Sequence, residues 1–246
     1  MSMVETMLNR IPAGTSAGRR RVIEMVFSAG LEVRAKTDAA AKDKNRTPTG
    51  NANEVLGPFL KKTGAAELRK ARRFVEYSKT ELDRERGIVR KKAIGEPKAT
   101  DALWLDRLFK MSPTERVAFF LQNPAARAAA LREPELAGFH PTDFPQVEPA
   151  QVKSWVEQGL QRTIRETNEK GAARIQIIEQ AHELLQIGVG ELEKALCDVP
   201  AIGDSTGGAS KFTGTPHLEA WLNAHAPGEV GAASLHEQAV FDAVED

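Results

Sequence analysis

The longest periodic stretch of the chain spans residues 150–196 and reads AQVKSWVEQGLQRTIRETNEKGAARIQIIEQAHELLQIGVGELEKAL. Its hydrophobic residues recur every three or four positions, the spacing that places them on one face of an α-helix. In the second half of the stretch the steps alternate strictly between three and four, which is the heptad pattern of a coiled-coil seam. The predicted oligomer seam consists of Ile175, Ile178, His182, Leu185, Val189, Leu192 and Leu196.

Upstream of this seam the apolar spacing is different. Val152, Val156 and Leu160 follow one another at intervals of four, which suits ordinary bundle packing rather than a coiled coil. The two patterns meet near Asn168 and Gly171, so the sequence predicts either two helices in line with a weak point at Gly171 or one long helix that changes partner there. Three heptads are about the shortest seam that forms a coiled coil. Pairing between chains and packing within one chain therefore both stay open.

The rest of the chain also favours helices. Ser112 and Pro113 precede Glu115, which is a capping box with proline at the first helical position, and Asn123 before Pro124 repeats the cap-then-proline pattern. Residues with β-branched side chains seldom alternate with polar ones, so half-buried strands are not expected. We predict an all-α fold, an irregular helical bundle with one long helix at about 150–196 that forms a coiled coil in one of the two alternatives.

Clusters of proline and glycine divide the chain into three predicted regions. Residues 1–98 form a basic helical region, 99–199 a helical core with the long helix, and 200–246 a linker followed by short helices. The linker reads PAIGDSTGGAS at 200–210, a composition typical of flexible connections. The short helices behind it either dock on the rest of the chain or bind a partner.

Cysteine content and hydropathy bear on the compartment. The chain has one cysteine, Cys197, which excludes an intramolecular disulfide framework and fits a reducing environment. No segment resembles a signal peptide, and no stretch approaches the roughly 20 apolar residues that a membrane span needs. We expect a cytoplasmic protein with no membrane partner.

The formal net charge of zero hides a strong asymmetry along the chain. Residues 1–100 hold 22 basic and 12 acidic side chains, a net charge of +10, and the remainder of the chain carries −10. Such polarity recruits a polyanion to one end, or lets the two halves attract each other within or between chains. The sequence leaves these alternatives open.

Three clusters of basic residues are candidate nucleic-acid- or anion-binding positions. Phosphate contacts need only accessible lysine and arginine side chains, although a solvated basic helix face accounts for the same pattern. Phe74 and Tyr77 are the aromatic residues that lie among these charges and could stack on bases. The candidate positions are Arg19, Arg20, Arg21, Arg69, Lys70, Arg72, Arg73, Arg90, Lys91 and Lys92.

No residue pattern indicates catalysis, a cofactor or a metal site. His217, His225 and His236 are 8 and 11 residues apart, spacings that match no short metal-ligand motif. Neither Cys197 nor Ser205 stands in a nucleophile motif. The glycine pairs match neither a P-loop nor a dinucleotide fingerprint. We therefore predict no catalytic residues, no metal and no cofactor.

These observations favour a non-catalytic helical assembly or adaptor protein. It is expected to self-associate through the long helix and to hold an anionic partner, either a nucleic acid or an acidic protein, with its basic N-terminal half. The alternative is a DNA- or RNA-binding regulatory protein. An enzyme without a recognisable motif is the third hypothesis.

Overall fold

The computed structural model describes residues 3–42, 65–197, 218–220, 222–223 and 235–242. Every regular element within these ranges is a helix, which confirms the all-α class. Residue contacts divide the chain into two compact units, Met1–Leu82 with Ile177–Asp246 as unit 1 and Asp83–Gln176 as unit 2. The division into three regions that was drawn from composition stays a prediction, and the linker at 200–210 lies outside the described residues.

The main helices are named in chain order. They are α1 (Met3–Leu8), α2 (Ala17–Lys42), α3 (Ala65–Ile94), α4 (Asp101–Lys110), α5 (Pro113–Gln122), α6 (Pro124–Arg132), α7 (Pro149–Thr167), α8 (Glu169–Cys197) and α9 (Leu235–Asp242). Both α3 and α8 contribute residues to the two units, since the unit boundaries follow Leu82 and Gln176. Within the described ranges no helix has the length and apolar character needed to cross a bilayer.

The predicted helix starts at Ser112 and Asn123 are both present. The backbone N–H of Ser112 donates to the Glu115 carboxylate at 3.2 Å, the reciprocal contact of a capping box. The Asn123 side chain accepts a hydrogen bond from Ala126 N at 3.0 Å and caps α6. These bonds satisfy backbone donors that a helix leaves open at its N-terminus, so the local sequence determines where α5 and α6 begin.

The stretch at 150–196 is divided at Asn168. This residue has φ −148° and ψ 63°, values outside the helical region, and it separates α7 from α8. Its side-chain oxygen accepts a hydrogen bond from Gly171 N at 3.1 Å, so asparagine ends one helix and caps the next. The prediction of one long helix is therefore wrong, and the alternative of two helices is correct, with the break three residues before Gly171.

The core of unit 1 packs α8 against α2 and α3. Two glycines mark a close approach between α2 and α8. A Cβ added at Gly188 would lie 3.2 Å from Val26 and 3.3 Å from Phe27, and one at Gly30 would lie 3.6 Å from the Leu192 backbone. The two backbones are thus near enough that small residues are favoured where the helices meet.

The predicted seam residues lie mostly inside the chain's own core. Five of the seven are at most 7% exposed, and His182 and Ile175 are partly buried. Packing of α8 within the chain therefore accounts for the three-four spacing. The buried seam residues are Ile178, Leu185, Val189, Leu192 and Leu196.

The C-terminal helical segments dock on unit 1. Leu218 and Leu222 are buried in its core, and Phe241 of α9 stacks on Phe74 with ring centroids 4.6 Å apart. The hydroxyl of Ser16 donates to the Phe241 carbonyl at 2.7 Å. Of the two alternatives for these segments, the structure places them against their own chain.

The connector before α7 in unit 2 is anchored by aromatic rings. Phe139 and Phe144 are buried, as their positions among prolines suggest, and their ring centroids lie 6.0 Å apart. The neighbouring Leu136 is instead 63% exposed. A tight turn with a positive φ of 76° at Gly138 directs Ala137 into the core in place of Leu136.

Gly159 in α7 tests how closely unit 2 is packed. Gly159→Ala is expected to lower the free energy of unfolding by about 1–3 kcal/mol, because the new Cβ would overlap the fully buried ring of Phe120. The matched control is Gly87→Ala in α3, where a Cβ meets nothing within 4 Å and removal of glycine should raise stability by about 0.5–1 kcal/mol. Urea denaturation measures both. An equal increase in the free energy of unfolding in the two variants would contradict the packing of α5 on α7.

Candidate functional site

Arg19, the first of the predicted basic positions, is an interior residue of unit 1. It is buried, forms an ion pair with the equally buried Glu81, and places its guanidinium 4.8 Å from the centroid of the Phe241 ring. Its neighbours Arg20 and Arg21 are exposed on α2. Arg19 is therefore part of the core of unit 1, and its charge is balanced there.

Three further predicted arginines, all on α3, bind side chains from the C-terminal half of the chain. Burial lowers the pKa of Arg72, but its hydrogen bonds to two carboxylates outweigh burial and leave the pKa raised. The opposite charges of the two halves thus meet within one chain. The contacts are Arg69 to Asn223 Oδ1 at 2.6 Å, Arg72 to Glu193 Oε1 at 2.7 Å and to Glu219, and Arg73 to Glu237 Oε1 at 2.7 Å.

The remaining predicted cations have different surroundings. Lys70 is partly buried, with its ammonium 6.0 Å from the Phe74 ring. Residues 90–92, Arg-Lys-Lys, are exposed near the end of α3 in unit 2. Within the described part of the chain, no hydrogen bond or ion pair of their side chains is recorded. This cluster is therefore an accessible group of positive charges in unit 2.

The cluster borders an open groove in unit 2 between α3 and α7. The groove encloses about 510 Å³. Each helix contributes residues at positions i, i+3, i+4 and i+7, so one face of each lines it; we call it the basic groove. Its lining residues are Asp83, Arg86, Gly87 and Arg90 of α3, Glu157, Leu160, Gln161 and Ile164 of α7, and Ile175 of α8.

The basic groove combines an apolar floor with a charged rim. Leu160 and Ile164 belong to the hydrophobic core and form the floor. On the rim, Arg86 lies 3.7 Å from Asp83 at the closest nitrogen–oxygen pair, and Glu157 accepts a hydrogen bond from Gln161. Two charges of the lining, the Arg90 guanidinium and the Glu157 carboxylate, therefore have no ion-pair partner among the described residues, and Lys91 and Lys92 next to Arg90 make this end of the groove positive.

A second, smaller hollow adjoins the basic groove on the other side of Gly87. It encloses about 280 Å³, and its lining includes Arg90, which it shares with the basic groove, together with Lys91 and Arg132. Arg132 donates two hydrogen bonds of 2.8 Å to Asp101, which neutralises its charge. Burial raises the pKa of Asp101, but the bonds from Arg132 and from Lys98 N outweigh it and lower the pKa. The available positive charge of this hollow therefore comes from Arg90 and Lys91.

The basic groove is lined by side chains of four chemical classes. Its lining side chains are carboxylate, guanidinium, amide and aliphatic groups, with no nucleophilic hydroxyl, thiol or imidazole and no aromatic ring among these described residues. Among the described residues, no three His, Cys, Asp or Glu side chains come together as metal ligands. His217, His225 and the side chain of His236 lie outside those described. The arrangement can hold an anionic group next to apolar side chains.

The sequence identified one part of this site and missed the other. The basic character of residues 90–92 is visible in the sequence, whereas Arg86 was hidden among mixed charges. Leu160 stands in the apolar stripe that the sequence shows, and Ile164 continues it, but the sequence does not show them as a groove floor because the groove forms only where α3 and α7 come together in the fold. The one local signal was Gly87, a glycine inside a helix with open space at its Cβ.

Comparison with known proteins adds no assignment to this geometry. The chain matches no protein-family model, and searches among curated proteins and among solved structures found no significant similarity.

Proposed function

We propose that this chain is a non-catalytic helical adaptor that holds an anionic partner at the basic groove. The observation that carries the proposal is the position of residues 90–92, whose unmatched cations stand beside an open groove with an apolar floor. An adaptor site needs accessible charge for attraction and apolar surface for affinity, and both occur here.

Four of the seven alternative anion-binding positions support this choice by their environment, and the exposed Arg20 and Arg21 of unit 1 line neither the basic groove nor the smaller hollow. Arg19, Arg69, Arg72 and Arg73 donate to carboxylate or amide oxygens of their own chain. An external anion would have to displace those partners before binding, which makes them poor primary contacts. The proposal therefore relies on residues 90–92 rather than on the whole basic half.

Self-association is not required by the proposed role. The buried positions of the predicted seam, Leu185 and Leu192 among them, already pack within one chain. A single chain with one accessible groove suffices to hold a partner. Whether two chains associate through another surface is a separate question from binding at the basic groove.

Neutralising the cluster tests the proposal. The triple variant Arg90→Gln, Lys91→Gln and Lys92→Gln is expected to weaken binding of fluorescein-labelled poly-glutamate roughly tenfold, at about 0.5 kcal/mol for each exposed ion pair. Fluorescence anisotropy at about 50 mM salt measures the dissociation constant, and the difference should shrink at higher salt.

The matched control removes three exposed cations of unit 2 outside the basic groove, Lys153→Gln, Arg165→Gln and Lys170→Gln. It should bind nearly as well as the unmodified chain. Because cations at the end of α3 also interact favourably with the helix dipole, circular dichroism melting must show that both triple variants remain folded. Equal weakening by the two variants, or no binding by the unmodified chain, would reject the proposal.

A further inference from the structure

We infer that the occupant of the basic groove is an acidic amphipathic helix supplied by a partner protein. The inference rests on the proposed function and narrows it, since it replaces an unspecified anion by one kind of partner and one mode of binding. Helix-in-groove recognition uses an apolar face with anchors at i, i+3, i+4 and i+7.

The walls of the groove have the geometry that such a helix needs. On α3 the lining runs from Asp83 to Arg90, and on α7 from Glu157 to Ile164, so each wall is a two-turn helix face of about 10 Å. A third helix laid between two such faces completes the packing found in helical bundles. The groove's volume of about 510 Å³ also falls within the range of formed ligand sites.

Gly87 gives the occupant room at the middle of the α3 wall. A Cβ placed there would meet nothing within 4 Å, so the space above this position is open. The absence of a side chain lets another backbone or a large apolar side chain approach α3 closely. The same glycine separates the basic groove from the smaller hollow, and Arg90 lines both.

Charge and apolar surface together favour an acidic helix over a nucleic acid. Arg90 and Lys91 favour binding of carboxylates or phosphates. Leu160 and Ile164 favour binding of an apolar face, which a phosphate backbone lacks. Single-stranded nucleic acids compensate by stacking bases on aromatic rings, and none lines this groove among the described residues.

Two synthetic peptides of identical composition provide the test. In one, leucines occupy positions i, i+3, i+4 and i+7 of a helical sequence and glutamates flank them; in the other, the same residues are scrambled so that no apolar face forms. Fluorescein-labelled peptides are titrated with the full-length chain and followed by anisotropy. The amphipathic peptide is expected to bind about ten times more tightly than the scrambled one.

Gly87→Leu is the decisive variant, because it fills the basic groove while keeping every cation. It is expected to weaken binding of the amphipathic peptide about tenfold without loss of thermal stability, since leucine favours helix over glycine. The matched control, Gly190→Leu, changes another helical glycine whose Cβ meets nothing within 4 Å, in unit 1. That control should bind the peptide as the unmodified chain does.

The outcomes separate this inference from the proposed function. If both peptides bind equally, Gly87→Leu has no effect and the glutamine triple variant weakens both, then charge alone binds the anion and the helix inference fails while the adaptor proposal stands. If a single-stranded oligonucleotide binds and Gly87→Leu abolishes that binding instead, the groove takes nucleic acid and the inference is overturned. Absence of binding by every anionic probe rejects both proposals.

Discussion

Replacing Arg116 with methionine is expected to lower the free energy of unfolding of unit 2 by about 3–6 kcal/mol. The magnitude follows from two buried hydrogen bonds to a charged donor, each worth about 1.5–3 kcal/mol. Arg116 is 6% exposed. Its guanidinium donates hydrogen bonds to backbone carbonyls rather than to a carboxylate. Its removal would leave the carbonyl of Gly138 without that donor inside the protein.

The acceptors of Arg116 explain why so few substitutes would serve. A planar guanidinium offers five donors in a fixed arrangement, which lets one side chain satisfy carbonyls from separate segments. Burial lowers the pKa of Arg116, and the charge of Asp143 opposes that shift. Arg116 thus connects the end of α4 with the turn before α7 through hydrogen bonds to both segments. The acceptors are Leu108 O at 2.9 Å, Phe109 O and Met111 O at 3.1 Å, and Gly138 O.

Two comparisons make the Arg116 measurement specific. Arg116→Lys keeps the charge but loses the planar arrangement of five donors. Its free energy of unfolding should therefore lie between those of the methionine variant and the unmodified chain. Arg165→Met removes an exposed arginine from α7 in the same unit and should change stability by less than about 0.5 kcal/mol. Urea denaturation is followed by tryptophan fluorescence in a Trp221→Phe background, so that the signal comes from Trp104 and Trp155, which pack against the core of unit 2. A loss for Arg165→Met as large as for Arg116→Met would contradict a special role of Arg116.

The parts of this fold that local sequence controls were predictable. The capping box at Ser112 and the asparagine before Pro124 act over three or four residues, so their sequence is sufficient evidence for a helix start. The break at Asn168 was anticipated only as one of two alternatives. The change of apolar spacing indicates a mismatch but does not tell which nearby residue leaves the helical conformation.

Buried arginines were not predictable from pattern, because arginine is normally a surface residue. Arg127 illustrates this, since it is 1% exposed and nothing in the alanine-rich sequence around it marks it as buried. Its guanidinium donates to Thr163 Oγ1 at 2.8 Å and forms an ion pair with Glu166. Those partners are more than 30 residues away along the chain. Only the tertiary contact between α6 and α7 shows where the charge is balanced.

The predicted basic positions differ in accessibility for the same physical reason. Counting charges identifies where positive groups occur, but accessibility depends on which acidic side chains fold against them. Arg72 and Arg73 looked as available as residues 90–92 in the sequence, yet α9 and the C-terminal segments provide carboxylates for them. Within unit 1 the opposite charges of the two halves therefore pair with each other, whereas residues 90–92 in unit 2 are exposed.

Leu185→Ala is expected to lower the free energy of unfolding by about 2–5 kcal/mol, the range for truncating a fully buried leucine. Leu185 is 1% exposed and lies in the core of unit 1. A large loss follows because alanine forfeits the buried apolar surface and leaves a cavity that rigid neighbours fill only in part. The matched control is Ile187→Ala on the same helix, where the side chain is 40% exposed and the loss should stay below about 1 kcal/mol.

The same pair of variants decides between a core helix and an oligomer seam. A core role for Leu185 predicts that the molar mass measured by light scattering is the same for Leu185→Ala and the unmodified chain, while only stability falls. A seam role predicts instead that Leu185→Ala has a lower molar mass than the unmodified chain because the oligomer dissociates. The stability of the oligomer would then depend on protein concentration. Because α2 approaches α8 closely at Gly30 and Gly188, the face that carries Leu185 is already covered by its own chain. We therefore expect the molar mass to stay unchanged in Leu185→Ala, with the heptad spacing of α8 reflecting its packing against α2 and α3 of the same chain.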